Sequence, residues 1–220
     1  MESINKLFTQ LSVKTDSVSN KHKINIADIL YYELGFSQEN YDILFKYVVK
    51  NLCEIKQNGT NGTNGTNGTN ENDLIKFSDI PDSIKLSKFA KSLKESDTFI
   101  KLDNNIYTLK DEFHITVLYL GGKYDDRADF LNKYLGQKFN IQINEIGYNQ
   151  QFISVGISII GDLPYYGNYI KHITFGLNNF TLKKALPKDS YTALLKENLN
   201  IINLGTSGLV LEAEFNVKTK

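Results

Sequence analysis

The sequence predicts an α+β fold in which two similar lobes enclose a central cleft, with a helical hairpin at the N-terminus. Several short segments alternate apolar and polar residues with the period of a half-buried strand. After residue 98 the order strand, helix, strand, strand occurs twice, and each copy begins with a strand that carries a His and a Thr two places apart. Of the 220 residues, 41% are hydrophobic, which is enough for a packed core.

The first part of the chain, residues 1–56, is expected to form a helical segment. Apolar residues recur at helical spacing over 24–34 and again over 38–52, and Gly35 separates the two stretches. We therefore predict a helical hairpin with one apolar face. The hairpin either packs on the rest of the chain or binds a protein partner through residues 24–56, and the sequence leaves both open.

A low-complexity tract follows over residues 57–72, where Asn-Gly-Thr is repeated and no apolar side chain is available for burial. Such a tract cannot offset the entropy that is lost when a chain becomes ordered. We therefore predict a flexible linker over 57–72 and a second domain over 73–220.

The elements of the second domain are assigned from strand alternation, helical stripes and turn residues. They are a hairpin over 98–109, strands over 112–120, 139–146, 152–160, 170–177, 201–204 and 209–217, and helices over 125–136 and 190–199. Two copies of one element order would bring the strands 112–120 and 170–177 side by side across a pseudo-two-fold groove. The element order therefore predicts a cleft between these two strands.

The two motifs are His114-Ile115-Thr116-Val117 and His172-Ile173-Thr174-Phe175. Because side chains alternate faces along a strand, each His shares a face with its Thr, and the apolar residues take the other face. The chain has three histidines, and the remaining one, His22, lies between two lysines without such a partner. The motifs therefore predict one polar face that carries two imidazoles and two hydroxyls.

These side chains favour cleavage of a phosphoester. An imidazole titrates near neutral pH, so His114 and His172 can act as the acid and the base of one reaction. The hydroxyls of Thr116 and Thr174 can donate hydrogen bonds to the phosphate oxygens. Neither His has a second ligand at a familiar metal spacing, so we expect no metal and no cofactor.

The motifs resemble those of the 2H phosphoesterase superfamily, which includes bacterial RNA 2′-5′ ligase-like proteins, cyclic phosphodiesterases and the phosphodiesterase domain of fungal-type tRNA ligases. The resemblance covers roughly residues 73–220. It implies a two-lobed fold and hydrolysis of a 2′,3′-cyclic phosphate on an RNA end or a nucleotide, as in RNA processing or repair. It also implies that the 3′-oxygen leaves and a 2′-phosphate remains.

Two alternatives stay open. The same cleft could hydrolyse 2′-5′ oligonucleotides or cyclic dinucleotide signals, or the chain could be a non-catalytic module that binds RNA or a nucleotide. The sequence also leaves open which His is the acid, because the two motifs are nearly the same.

Further candidate substrate contacts are aromatic or basic residues near the motifs: Tyr119, Lys123, Tyr165, Tyr166 and Tyr169. Aromatic residues on a loop beside a phosphate site can stack on a nucleobase. The alternative is that the three loop tyrosines pin the loop to the core.

The charge balance excludes non-specific electrostatic binding along a nucleic acid. Lys plus Arg and Asp plus Glu are both 25, so the chain has no global basic field, and an RNA end or a nucleotide would have to bind locally. Cys53 is the single cysteine, which excludes a disulfide within the chain. We find no signal-peptide pattern and no apolar stretch of the ~18 residues that a membrane span needs, so we expect a cytoplasmic protein without membrane contact.

Overall fold

The computed structural model describes residues 28–59, 74–168, 170–181 and 183–220. They form an α+β fold with a large antiparallel sheet and few helices. The strands are β1 (Ile29–Gly35), β2 (Leu74–Ile75), β3 (Phe99–Leu102), β4 (Asn105–Leu109), β5 (His114–Tyr119), β6 (Lys138–Tyr148), β7 (Phe152–Ile160), β8 (His172–Leu177), β9 (Ile201–Asn203) and β10 (Val210–Thr219). The helices are α1 (Gln38–Gly59), α2 (Asp82–Lys85), α3 (Asp126–Leu131) and several 3-10 helices, among them Pro187–Leu194.

The ten strands of the described residues join in one sheet in the order β2-β3-β4-β8-β7-β6-β10-β1-β5, with β9 on β6. β5 ends this order, whereas β8 lies inside it. The two strands are nevertheless close, because the rings of Phe113 and Phe175 stack with their centroids 4.9 Å apart. The Lys110 N–H also donates a hydrogen bond to the Phe175 carbonyl at 3.0 Å. The sheet therefore curves until its end strand β5 lies beside β8.

The core fixes the positions of the two motif strands. Their alternation is as the sequence predicts, since the apolar residues are fully buried, namely Ile115, Val117, Ile173 and Phe175. Helix α1 packs on this apolar side, where Tyr41 stacks on Phe113 at 4.5 Å and the Phe45 ring lies 5.8 Å from that of Phe175. Each such buried side chain stabilises the fold by about 1.5–3 kcal/mol relative to exposure. The opposite face of both strands carries the His and Thr side chains.

The predicted helical hairpin is wrong for residues 29–35, which form β1 between β10 and β5. Ile29, Tyr32 and Leu34 are the buried residues of this strand. Their spacing suggests a helix because the register of β1 shifts between Ile29 and Tyr31, which interrupts the period of 2. Pairing on both edges outweighs the local pattern, as tertiary context commonly does for aromatic-rich segments. Residues 24–27 lie outside the described residues.

The second helix of that hairpin exists as α1. Because β1 is hydrogen-bonded to strands that follow residue 73, residues 29–35 belong to the same sheet as the predicted second domain. Of the predicted linker, residues 57–59 end α1, and the remainder lies outside the described residues.

The hairpin over 98–109 and the predicted strands over 112–120, 139–146, 152–160, 170–177, 201–204 and 209–217 are confirmed, with small shifts at their ends. The helix expected over 125–136 is shorter, and the one expected over 190–199 is replaced by the 3-10 helix Pro187–Leu194. Across the described ranges, no helix combines the length and the apolar character that crossing a membrane would require.

Candidate active site

A cleft of about 360 Å³ opens on the polar face of β5 and β8. It is lined by both His-x-Thr pairs and by residues of β1, α3, the loop before β8 and the start of the 3-10 helix Pro187–Leu194. The lining residues are Tyr31, His114, Thr116, Leu118, Tyr119, Arg127, Tyr165, Tyr166, Gly167, Asn168, His172, Thr174, Pro187 and Lys188. All four motif side chains therefore border one space.

Each histidine faces a glycine on the neighbouring strand. Gly35 of β1 is opposite His114, and Gly156 of β7 is opposite His172. Side chains directly opposite each other share a face, so neither glycine places a side chain of its own beside the imidazole. In each case a carboxylate lies over the glycine: a Cβ built on Gly35 or Gly156 would lie 3.9 Å from Oε1 of Glu33 and 2.7 Å from Oε1 of Glu145, respectively.

His114 is held between residues of β1. Its ring stacks on Tyr31 with centroids 5.3 Å apart and planes at 23°, and Nδ1 lies 3.8 Å from Oε2 of Glu33. Burial lowers the pKa of His114 below its usual 6.5. Nearby positive charges lower this pKa further and Glu112 opposes them; the positive charges are those of Lys110, Lys218 and His172.

The Nδ1 of His172 has a neutral partner. Its Nδ1 lies 2.8 Å from the Ile170 carbonyl oxygen. A carbonyl can only accept, so Nδ1 carries the proton and Nε2 of the neutral ring has a free lone pair. Burial lowers the pKa of His172, and the hydrogen bond to Ile170 raises it in part. The Tyr191 ring lies next to this imidazole, with the ring centroids 6.2 Å apart and the planes at 57°.

The two threonines also differ in their hydrogen-bond partners. Thr174 Oγ1 lies 2.7 Å from Ser190 Oγ and 3.3 Å from the Pro187 carbonyl oxygen, to which it can donate. Ser190 is fully buried, and its carbonyl accepts a hydrogen bond from Ser154 Oγ at 2.6 Å. Thr174 is thus fixed by the 3-10 helix. The hydroxyl of Thr116 has no hydrogen-bond partner within the described residues, so it is free to bind a ligand.

The loop before β8 closes one side of the cleft. The Tyr166 N–H donates to the Val117 carbonyl at 2.9 Å, which ties the loop to β5. A Cβ on Gly167 would lie 2.5 Å from the Thr116 carbonyl oxygen and 2.5 Å from the Tyr165 hydroxyl oxygen. Only glycine permits this approach, so the loop and the first motif are held together by backbone contact.

Tyr165 and Tyr166, both expected to contact substrate, line the cleft but also have contacts of their own. Burial raises the pKa of Tyr165 to about 12, and Lys171 Nζ lies 5.4 Å from the centre of its ring. The Arg127 guanidinium lies 5.3 Å from the centre of the Tyr166 ring. Both rings pack partly against the core. Their contact with a nucleobase stays a prediction.

The three remaining residues that were predicted to contact the substrate have different positions. Tyr119 lies at the rim of the cleft with 68% of its surface exposed. Lys123 is exposed and does not line the cleft. Tyr169 lies outside the described residues.

Sequence reasoning missed several residues of the cleft, chiefly Tyr31, Arg127 and Lys188. Tyr31 was missed because β1 was interpreted as a helix; an interrupted alternation over 29–35 is the signal that could have found it. The other two come from separate elements, and nothing in the sequence links them to the motifs.

The two cationic side chains at the cleft, Arg127 and Lys188, differ in whether an acidic residue pairs with them. Nε of Arg127 donates to Asp125 at 2.8 Å, and a second nitrogen also pairs with this carboxylate. This guanidinium lowers the pKa of Asp125 to about 2, so the two charges offset each other. The ammonium of Lys188 has no acidic partner in the described part of the chain, while its carbonyl accepts from Asn168 Nδ2 at 2.8 Å. Lys188 is therefore the cation best able to meet an anionic ligand.

Within the described ranges, no group of three or more His, Cys, Asp or Glu side chains is arranged to hold a metal ion. The cleft offers two imidazoles, a free hydroxyl, a fixed hydroxyl and an ammonium.

No protein-family model matches the chain, and no curated protein matches its sequence. Among solved structures the chain is similar to a fungal RNA kinase, with 14% identity and a TM-score of 0.43. The alignment covers 98% of this chain and 52% of the other, so the chain spans about half the length of that structure.

Proposed function

We propose that the chain is a metal-independent phosphodiesterase of the 2H type. Its substrate is a 2′,3′-cyclic phosphate at an RNA end or on a nucleotide, and its product is a 2′-phosphate. The observation that carries the proposal is that both His-x-Thr pairs line one cleft of about 360 Å³. Such a volume lies at the small end of the range for ligand pockets, which suits a terminal nucleotide better than a long oligonucleotide.

In the proposed reaction, His172 is the base. Its Nδ1–H is held by the Ile170 carbonyl, so Nε2 can accept a proton from water. The water oxygen forms the new bond to phosphorus, the bond from phosphorus to the 3′-oxygen breaks, and the leaving oxygen takes a proton from His114. We assign the role of acid to His114 because a carboxylate lies 3.8 Å from its Nδ1. An opposite charge at this distance favours the imidazolium, against the burial and the cations that lower the pKa of this ring.

The threonines and Lys188 bind the phosphate in this proposal. Thr116 donates its free hydroxyl to one non-bridging oxygen. Thr174 turns its hydroxyl to the other oxygen while it accepts the Ser190 hydroxyl proton, so that contact stays in place. The Lys188 ammonium approaches the negative charge from the 3-10 helix. Donors placed in advance around a charge that develops in the transition state are commonly the largest single contribution to catalysis.

The experiment is hydrolysis of nucleoside 2′,3′-cyclic phosphates in EDTA by the wild type and by His114→Ala and His172→Ala. Each positioned acid or base contributes roughly 10²–10⁴-fold, so each substitution should reduce kcat by about that factor and leave the melting temperature nearly unchanged. His22→Ala is the matched control, since the sequence gives this third histidine no partner, and it should retain full activity.

Turnover that survives EDTA, disappears in both variants and yields a nucleoside 2′-phosphate would support the proposal. Absence of turnover by the folded wild type on all four nucleoside cyclic phosphates and on an RNA with a cyclic phosphate end would refute it. A nucleoside 3′-phosphate as the product would overturn the assignment of the leaving oxygen.

A further inference from the structure

β1 brings two side chains to His114 that the motif itself does not predict. Tyr31 and Glu33 are two residues apart and so lie on the same face of β1 as the Gly35 opposite His114. The Tyr31 ring covers one face of the imidazole, and the Glu33 carboxylate lies at its Nδ1 edge. Nε2 is therefore the ring nitrogen that remains available to a ligand in the cleft.

The side chain of Glu33 is largely buried. Its side chain is 15% exposed, against 54% for Glu54 and 75% for Glu112. Burial raises the pKa of Glu33, Lys218 lowers it and Glu112 raises it. Removing a carboxylate from water costs free energy, so a carboxylate that is retained at such a position usually has a partner.

We propose that Glu33 is the positioning residue of His114: its carboxylate accepts the Nδ1–H, fixes the ring and stabilises the imidazolium that serves as the acid. This inference rests on the proposed function for its catalytic consequence. The distance of 3.8 Å is longer than a hydrogen bond, and catalytic hydrogen bonds are often long in the absence of substrate. His172 has the uncharged Ile170 carbonyl at the same ring position, so the two histidines are made unequal by their neighbours.

Several other charges face His114, and they act mostly in the opposite direction. Lys110 and Glu112 lie just before β5, Lys218 lies on β10, and His172 lies across the cleft. Burial and the three cationic groups disfavour a proton on His114, and Glu112 favours it. Glu112 is exposed and pairs with Lys218 at 3.5 Å, so solvent screens it. Glu33 is thus the buried negative charge in contact with the ring.

The first test needs no enzymatic activity. The pKa of His114 is measured by NMR titration of the histidine ring signals in the wild type, in Glu33→Gln and in Glu112→Gln. Glutamine keeps the shape of the side chain and removes the charge. The proposal expects the pKa of His114 to fall in E33Q by clearly more than in E112Q, because solvent screens the exposed Glu112, with the pKa of His172 unchanged in both.

The second test uses the pH profile of kcat/KM on a nucleoside 2′,3′-cyclic phosphate. In E33Q the alkaline limb, which reports loss of the proton from the acid, should move to lower pH, and the acid limb should not move. The rate at the optimum should fall roughly tenfold to a hundredfold, a part of the 10²–10⁴-fold that a positioned acid contributes. A variant that only lost stability would show neither shift.

An unchanged pKa of His114 in E33Q, or equal shifts in E33Q and E112Q, would overturn the proposal. Because the titration does not depend on turnover, a protein without activity on cyclic phosphates would refute the proposed function and leave the Glu33–His114 pairing to be decided by NMR.

Discussion

At the scale of single residues, two nearly equal motifs become unequal through their neighbours. Sequence gives both histidines the same setting, His-Ile-Thr on a strand. The structure gives His114 a carboxylate and a stacked tyrosine, and His172 a backbone carbonyl. The difference gives each ring its own surroundings, so that one can be preferred as the acid and the other as the base.

The pH optimum of the reaction follows from burial. Burial lowers the pKa of both His114 and His172 below 6.5. The active form has one ring protonated and the other neutral, and its population is greatest midway between the two macroscopic pKa values of the pair. We therefore expect a bell-shaped profile of kcat/KM with its maximum below pH 6.5. Initial rates over pH 4.5–8.5 at constant ionic strength measure it, and a maximum above pH 7 would contradict the expectation.

At the scale of elements, the loop before β8 depends on backbone contact with β5. A methyl group on Gly167 would overlap the Thr116 carbonyl oxygen and the Tyr165 hydroxyl, so Gly167→Ala must displace the loop. Overpacking of this kind costs about 1–3 kcal/mol. We expect that loss in the free energy of unfolding in urea, and faster hydrogen exchange of the Tyr166 amide, which bonds to Val117.

Gly35→Ala is the control for this substitution, because a Cβ there meets its neighbours only at ordinary contact distance. Removal of a strand glycine at such a site should change the unfolding free energy by less than about 1 kcal/mol. If Gly167→Ala were as stable as Gly35→Ala with unchanged exchange at Tyr166, the loop would not depend on the absence of that side chain.

The elements that the sequence predicted best are strands whose apolar residues recur at alternate positions. β6 alternates over Phe139, Ile141 and Ile143, and both motif strands bury their Ile, Val and Phe residues. β1 was missed because a register shift next to Ile29 produces a helix-like spacing. The motif side chains could be predicted because strand parity is local, whereas Lys188 and Arg127 reach the cleft through tertiary packing that no local pattern encodes.

At the scale of the whole molecule, the sheet joins parts of the chain that the Asn-Gly-Thr tract separates in sequence. β1 pairs with β10 on one side and β5 on the other, and α1 packs on the buried face of the motif strands. The candidate site therefore includes Tyr31 and Glu33 from before the tract and the two motifs from after it. Both parts are needed to complete the surroundings of His114.

A cut in the tract tests this integration. With a protease site inserted between Thr60 and Asp73, cleavage should leave a complex in which the fragment that carries β1 and α1 stays bound to the remainder. Ile29, Tyr32, Leu34, Leu44, Val48 and Leu52 are almost fully buried in the joint core. At about 1.5–3 kcal/mol for each, their burial is large against the entropy of holding two fragments together.

Size-exclusion chromatography of the cut protein should therefore show one peak that separates into two fragments only in denaturant. Leu34→Ala is the control: loss of this fully buried side chain costs about 2–5 kcal/mol and should promote dissociation of the cut protein while the uncut variant keeps its parts together. Fragments that separate without denaturant in the wild-type background would mean that β1 and α1 form an appendage. In that case any hydrolysis would have to come from the piece after the cut, which lacks Tyr31 and Glu33. The proposed role of β1 at His114 would then be wrong.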